Sequence, residues 1–331
     1  MQKLKSGEFT DLSEPVLKTL NQNRINTISE FLQEDVSKLS TLTNLNLSQI
    51  VNMRNEIFAK YCPPLINGTT ILAKSLTNKK NVTCGIERLD ALTGGGIPTG
   101  TITELCGLAD SGKTQLCFQI AINCAKNTDN TVLYLDTKGD FSAVRIQKIL
   151  EGLKYSHKDM ALIMYRIRVI HIWTMEELVE LFKNLNNKTL AIENLALIII
   201  DSLPCLMFQY LGDDNKIGLT HLNEFVNKGR CLCRTLNVAL LCVNIQTRWV
   251  DPDVVDVEDE ETSSAFKDSY IEKRIRCLGK YWQEIPALVL VIERIQENND
   301  ESQLKIIVTK FNNASYENQQ CLLNLNAFGV T

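Results

Sequence analysis

Histidine and tryptophan are scarce in this 331-residue chain, with three of each, and no cysteine pair has CxxC spacing. His157, His171 and His221 lack ligand-like spacing to one another, which argues against a zinc site. The eleven cysteines are scattered. Most of them, including Cys62, Cys84, Cys106, Cys117, Cys205 and Cys242, sit in apolar runs, so they read as reduced core residues rather than a disulfide framework. Glycine and proline are sparse, and no repeat or low-complexity tract occurs. No apolar run approaches membrane length, and the N-terminal MQKLKSGEFTDL lacks the apolar core of a signal peptide; an intracellular, soluble protein is expected. Excess positive charge is missing as well. With a net charge of −4, the chain has no global attraction for polyanions, so nucleic acid would have to be held by local basic patches or through a partner.

What is present suits a large core, because 44% of residues are hydrophobic and 22% charged. Three regions are expected: a helical domain over 1–60, a linker over 61–80 and a larger domain over 81–331. Ser13, Glu14 and Pro15 mark a helix start, Thr27 with Glu30 fits a capping box, and Ile50, Met53, Ile57, Phe58 and Tyr61 recur at helical spacing. The stretch YCPPLINGTT (61–70) reads as linker from its two prolines and its lack of periodicity. Beyond residue 81, apolar runs at 101–106, 131–136, 167–172, 195–201, 237–243, 286–293 and 303–310 read as strands. Helical patterns fill 113–126, 142–153, 174–186 and 217–236. Strands apolar on both faces and separated by helices predict a parallel sheet covered on both sides. The last two have no helix between them and are expected to form an antiparallel extension.

The strongest chemical signal is GLADSGKT, residues Gly107, Leu108, Ala109, Asp110, Ser111, Gly112, Lys113 and Thr114, which match GxxxxGK[ST] between a strand and a helix. Glycines let backbone amides face phosphates, Lys113 can reach the β and γ phosphates, and Thr114 can offer its hydroxyl to Mg2+. Asp201, ending LALIIID, can hold the hydrated Mg2+ from the C-terminal edge of the sheet. An apolar run ending in Asp is common in core strands, so its weight comes from its pairing with the loop. ATP and Mg2+ are therefore the expected cofactors.

The stretch from Cys84 to Ala121, CGIERLDALTGGGIPTGTITELCGLADSGKTQLCFQIA, resembles the RecA-type recombinase ATPase core. RINTISEFL resembles the helical N-terminal domain of the eukaryotic and archaeal recombinases, and LGKYWQEIP (278–286) is similar to the D-type paralogue of the eukaryotic recombinase. The resemblance implies an α/β, RecA-like P-loop ATPase core with an antiparallel C-terminal extension, preceded by a small all-α domain. It further implies homologous-recombination repair in the nucleus, as a subunit of a hetero-oligomer with B-, C- and X2-type relatives. Contact with the recombinase itself, and with single-stranded or branched DNA through the complex, is also implied. No membrane partner is expected.

Against that resemblance, active relatives carry a water-positioning Glu where LYLDTKGDF (133–141) has Lys138. An ammonium cannot accept the proton or orient the water, so slow or absent hydrolysis is expected, with Asp136 and Asp140 as imperfect substitutes and no catalytic residue assigned. Lys138 itself reads either as a solvated turn residue or as an ammonium that pairs with a phosphate or an acidic neighbour. The family's Asn-Gln pair becomes Asn244, Ile245 and a late Gln246, which an extended strand would turn the other way. The stretch 251–261 holds seven carboxylates where relatives place a DNA loop; it reads as a solvated loop or as a dock for a basic partner. Lys267, Lys273, Arg274, Arg276 and Lys280, interleaved with Phe266, Tyr270, Tyr281 and Trp282, fit single-strand binding and a half-buried helix equally. The rival function is an autonomous DNA-stimulated ATPase catalysing strand exchange. A small-molecule kinase would need an Arg-rich lid, and the sequence has none.

Overall fold

The computed structural model describes residues 3–61, 66–78, 80–126, 129–210, 216–250, 272–296, 302–311 and 314–331. The chain divides into two compact units, Met1–Ser75 and Leu76–Thr331.

The smaller unit is helical, with α1 (Glu14–Gln22), α2 (Ile28–Gln33), α3 (Val36–Thr43) and α4 (Leu47–Tyr61). Residues at three- and four-residue spacing build its core: Val16 and Leu20 from α1, Phe31 from α2, Leu39 from α3, and Ile50, Met53 and Ile57 from α4. Phe58, grouped with that face by periodicity, is 48% exposed. The capping box forms: Thr27 Oγ1 accepts the Glu30 N–H at 3.3 Å and Glu30 Oε2 accepts the Thr27 N–H at 2.9 Å. Residues 61–80, expected as linker, hold a further helix, α5 (Gly68–Asn78). Asn67 starts it by accepting the Thr70 N–H on Oδ1 at 2.8 Å, and residues 68–78 contain no proline.

The larger unit runs β1 (Asn81–Val82), α6 (Glu87–Leu92), β2 (Ile97–Pro98), β3 (Ile102–Gly107), α7 (Lys113–Lys126), β4 (Thr131–Asp136), α8 (Ala143–Gly152), α9 (His157–Arg166), β5 (Ile167–His171), α10 (Met175–Asn186) and β6 (Leu195–Asp201). It continues with α11 (Leu203–Met207), α12 (Lys216–Leu236), β7 (Ala239–Val250), β8 (Glu272–Arg276), α13 (Gly279–Gln283), β9 (Leu288–Gln296), β10 (Ser302–Phe311), β11 (Ala314–Asn326) and β12 (Gly329–Val330). The main sheet has the order β12-β11-β10-β9-β3-β7-β6-β4-β5, with β8 pairing β7 antiparallel. Strands β9, β3, β7, β6, β4 and β5 are mutually parallel, and the antiparallel extension begins at β10. The strand 286–293, expected in that extension, therefore belongs to the parallel block. Helix α13 precedes it and supplies a crossover that sequence periodicity did not show.

Alternation along the strands places side chains on two opposite cores. Val132 and Tyr134 of β4, Leu197 and Ile199 of β6, and Leu241 and Val243 of β7 pack with Phe118 and Ile120 of α7. Leu133, Leu135, Ile198, Ile200, Leu240 and Cys242 pack with Phe182 of α10 and Phe225 of α12. Among the described residues, no helix is long and apolar enough to cross a membrane.

Candidate nucleotide-binding site

The C-terminal ends of β3, β4 and β6 converge, and each delivers one part of a charged cluster. After β3, the chain turns through Gly107 to Gly112 into α7. A side chain at Gly107 would put Cβ 2.5 Å from the Ile292 carbonyl oxygen, and Gly112 has φ +89. Only glycine suits either place, which is the backbone requirement behind the loop motif. Ser111 and Lys113 are buried, while Ala109 and Asp110 are exposed at the tip. Arg294 of β9 reaches over the loop to Asp110, with 3.1 Å between Nη1 and Oδ2. The Lys113 ammonium lies within the loop, donating to the Gly107 carbonyl at 3.0 Å, to Ser111 Oγ at 3.2 Å and to the Leu108 carbonyl. Burial holds its pKa below the usual lysine value, and the Lys138 ammonium adds to that lowering.

Asp201 ends β6 and is 2% exposed. Its Oδ2 accepts the Thr114 hydroxyl at 2.7 Å and the Tyr134 hydroxyl at 2.9 Å, while Oδ1 meets Lys138 Nζ at 3.3 Å. Sequence reasoning missed Tyr134. Its signal was position alone: it lies two residues before Asp136, on a strand that pairs with β6 in register. Phe118 and Phe141 pack against its ring at 5.7 and 5.1 Å and fix its direction.

Lys138 is held by the turn that follows β4. Asp136 is buried, and its carboxylate accepts the backbone N–H groups of Lys138, Gly139, Asp140 and Phe141 at 2.9 to 3.3 Å. Burial alone would raise the Asp136 pKa, but these amides outweigh it and hold the carboxyl below its usual range. Asp136 therefore builds the turn: its oxygens face the turn's own amides, with His171 Nδ1 also 3.4 Å from Oδ2. The reading of Lys138 as a solvated turn residue is replaced by a partly buried one, 24% exposed and ion-paired. Burial pulls its pKa down, yet the Asp201 carboxylate more than offsets this and the net shift is upward.

Thr114 and Asp201, 2.7 Å apart at the loop, fit the role of jointly holding a hydrated Mg2+ that arrives with a triphosphate. When bound, the metal would neutralise phosphate charge. The Lys113 ammonium and the N-terminus of α7 lie at the loop, and groups of these types favour an anion beside them.

A second polar cluster lies behind the loop. Glu104 of β3 is fully buried; Asn244 Nδ2 donates to its Oε1 at 2.6 Å and Arg276 Nη1 to its Oε2 at 2.9 Å. Burial raises the Glu104 pKa and the Arg276 guanidinium pulls it back. Asn244 also donates to the Cys277 carbonyl at 3.1 Å, so both it and Arg276 are engaged in the core. Ile245 stands beside Gly107 in the parallel register, one residue out of phase with Gln246. Of the basic and aromatic set, Arg274 pairs with Glu293, Trp282 is buried and the Tyr281 hydroxyl donates to Asn223. Residues 272–276 form strand rather than helix. Phe266, Lys267, Tyr270 and the acidic stretch 251–261 lie outside the described residues, as does the side chain of Lys273.

A family model described as Rad51 matches residues 77–262. The DNA repair protein RAD51 homolog 4 of Bos taurus is 23% identical over 309 residues, covering 92% of this chain and 89% of the relative. The Mus musculus protein of the same name is 26% identical over 299 residues, 88% and 85% of the two chains. The DNA repair and recombination protein RadA of Aeropyrum pernix is 32% identical over 178 residues, covering 50% and 53%. Among solved structures, a crystal structure of the RadB recombinase superposes with a TM-score of 0.57 at 16% identity, over 75% of this chain and 98% of that one. That likeness shows a RecA-like fold, in agreement with the expected fold class.

Proposed function

The chain belongs to the Rad51 family, and from that premise we propose that it is an ATP-binding recombinase paralogue of the D type. On this reading it works as one subunit of a hetero-oligomer in homologous-recombination repair and hydrolyses ATP weakly or not at all. Similarity over most of the chain to two proteins named RAD51 homolog 4 supports the subtype, as does the stretch 278–286. Residues 107–114 hold the phosphates, Thr114 and Asp201 take Mg2+ when it comes with the nucleotide, and residues 81–331 form the ATP-binding core. The B-, C- and X2-type relatives are the proposed partners. The recombinase and single-stranded or branched DNA are met through the complex, in the nucleus.

The observation that carries this reading is the Lys138–Asp201 ion pair at 3.3 Å. A cation stands where hydrolysis in the family needs a carboxylate, whereas every group that grips phosphate is present. Nucleotide binding then acts by linkage, stabilising the domain by about 2.7 kcal/mol at a hundredfold excess over Kd. Co-expression with B-, C- and X2-type relatives, read by native mass, tests the assembly. A stoichiometric complex is expected, and a chain that remains alone with every relative refutes it.

A further inference from the structure

Resting on the ATP-binding reading above, we propose that the Lys138 ammonium is a built-in counter-ion for the triphosphate, so that this site binds ATP about as tightly without a divalent cation as with one. In a phosphate loop paired with an acidic strand end, Mg2+ joins two sets of negative groups that would otherwise repel one another: the carboxylates of the protein and the oxygens of the nucleotide. Here the carboxylate is already satisfied by the chain itself. Asp201 receives a hydroxyl from Thr114, a second from Tyr134 and the ammonium of Lys138.

Charge counting leads to the same conclusion. Counted by formal side-chain charge, Lys113, Lys138 and Asp201 together give +1. The Lys138→Glu variant would carry −1 over the same three positions, and a divalent cation would be needed to return it to +1. The lysine thus reaches by itself the balance that a glutamate-bearing site reaches only with metal.

Geometry makes Lys138 available for this role. Its backbone is fixed by the four amides that converge on Asp136, and its ammonium rests beside Asp201, whose other oxygen accepts the Thr114 hydroxyl of the loop. Its four-carbon stem and three donors let it keep Asp201 on one side and meet a phosphate oxygen on the other.

Titration calorimetry of the full chain with ATP, in excess EDTA and in excess Mg2+, tests the proposal. Wild-type Kd should differ by less than about tenfold between the two conditions. Lys138→Glu should bind in Mg2+ and lose about a hundredfold or more in EDTA. Lys138→Met, which removes the ammonium without adding charge, should also become metal-dependent, while Lys138→Arg should stay metal-independent. Tenfold or greater dependence of the wild type on Mg2+ overturns the inference and leaves ATP binding intact. Equal metal-free affinity in Lys138→Met and wild type also overturns it. No binding of ATP in either condition refutes the ATP-binding reading itself.

Discussion

Replacing Arg276 with alanine removes the cation from a carboxylate that has no access to water. Glu104 is 0% exposed, and Arg276 Nη1 meets its Oε2 at 2.9 Å. Breaking a buried pair from one side costs about 3–5 kcal/mol, because the remaining charge stays desolvated. Asn244 still donates to Oε1 and the arginine is 24% exposed, which places the loss near the bottom of that range, about 3 kcal/mol. The pH dependence gives an independent check. Burial already holds the Glu104 carboxyl above its usual value of 4.5, and losing the guanidinium lets it rise further. The folded variant then binds the proton more readily than the unfolded chain. Its stability is full below the unfolded value and falls as pH climbs through the folded one. Trp173, Trp249 and Trp282 all belong to the larger unit, so urea unfolding followed by tryptophan fluorescence reports that unit alone. The gap from wild type should be about 3 kcal/mol near neutral pH and narrow on acidification towards about pH 5. A Glu104→Leu, Arg276→Met double variant should recover most of the loss. An unchanged midpoint at neutral pH, or a gap that widens on acidification, refutes the reasoning.

Two further outcomes follow from local geometry. Thr27→Ala removes one half of the capping box, and amides in residues 28–33 should exchange with deuterium roughly fivefold faster, with no change in the larger unit. Asp136→Asn removes the charge that four amides hold; the loss of about 1–3 kcal/mol should be present above the unfolded value of 3.8 and vanish as pH falls through the lower folded value, which stability measured between pH near 7 and near 3 will follow.

The phosphate loop and the sheet were legible because their signals are local. GLADSGKT needs positive φ at Gly112 and close approach at Gly107, and the strand at 195–201 is apolar on both faces because helices cover both faces. Lys138 was visible as a substitution that an acid could pair, but which acid was not, since Asp201 is 63 residues away and meets it only through the pairing of β4 with β6. The same holds for Tyr134, and for Glu104, whose neighbours come from β7 and β8. Helix α9 was overlooked although Ser156 caps it by accepting the Asp159 N–H at 3.2 Å. Its polar residues masked the buried pair Met160 and Ile163. Helix α5 within 61–80 was not read because Pro63 and Pro64 dominated that stretch, whereas the cap at Asn67 starts a regular segment just beyond them.

The most direct measurement is phosphate release in a single turnover, with the purified chain in excess over ATP and Mg2+ present, for wild type and for Lys138→Glu. Wild type should hold ATP with release slow or at the uncatalysed background, and the variant should gain about tenfold or more over it by recovering a water-positioning carboxylate. Rapid release from the wild-type chain alone would contradict a site that grips a triphosphate while lacking the group that breaks it.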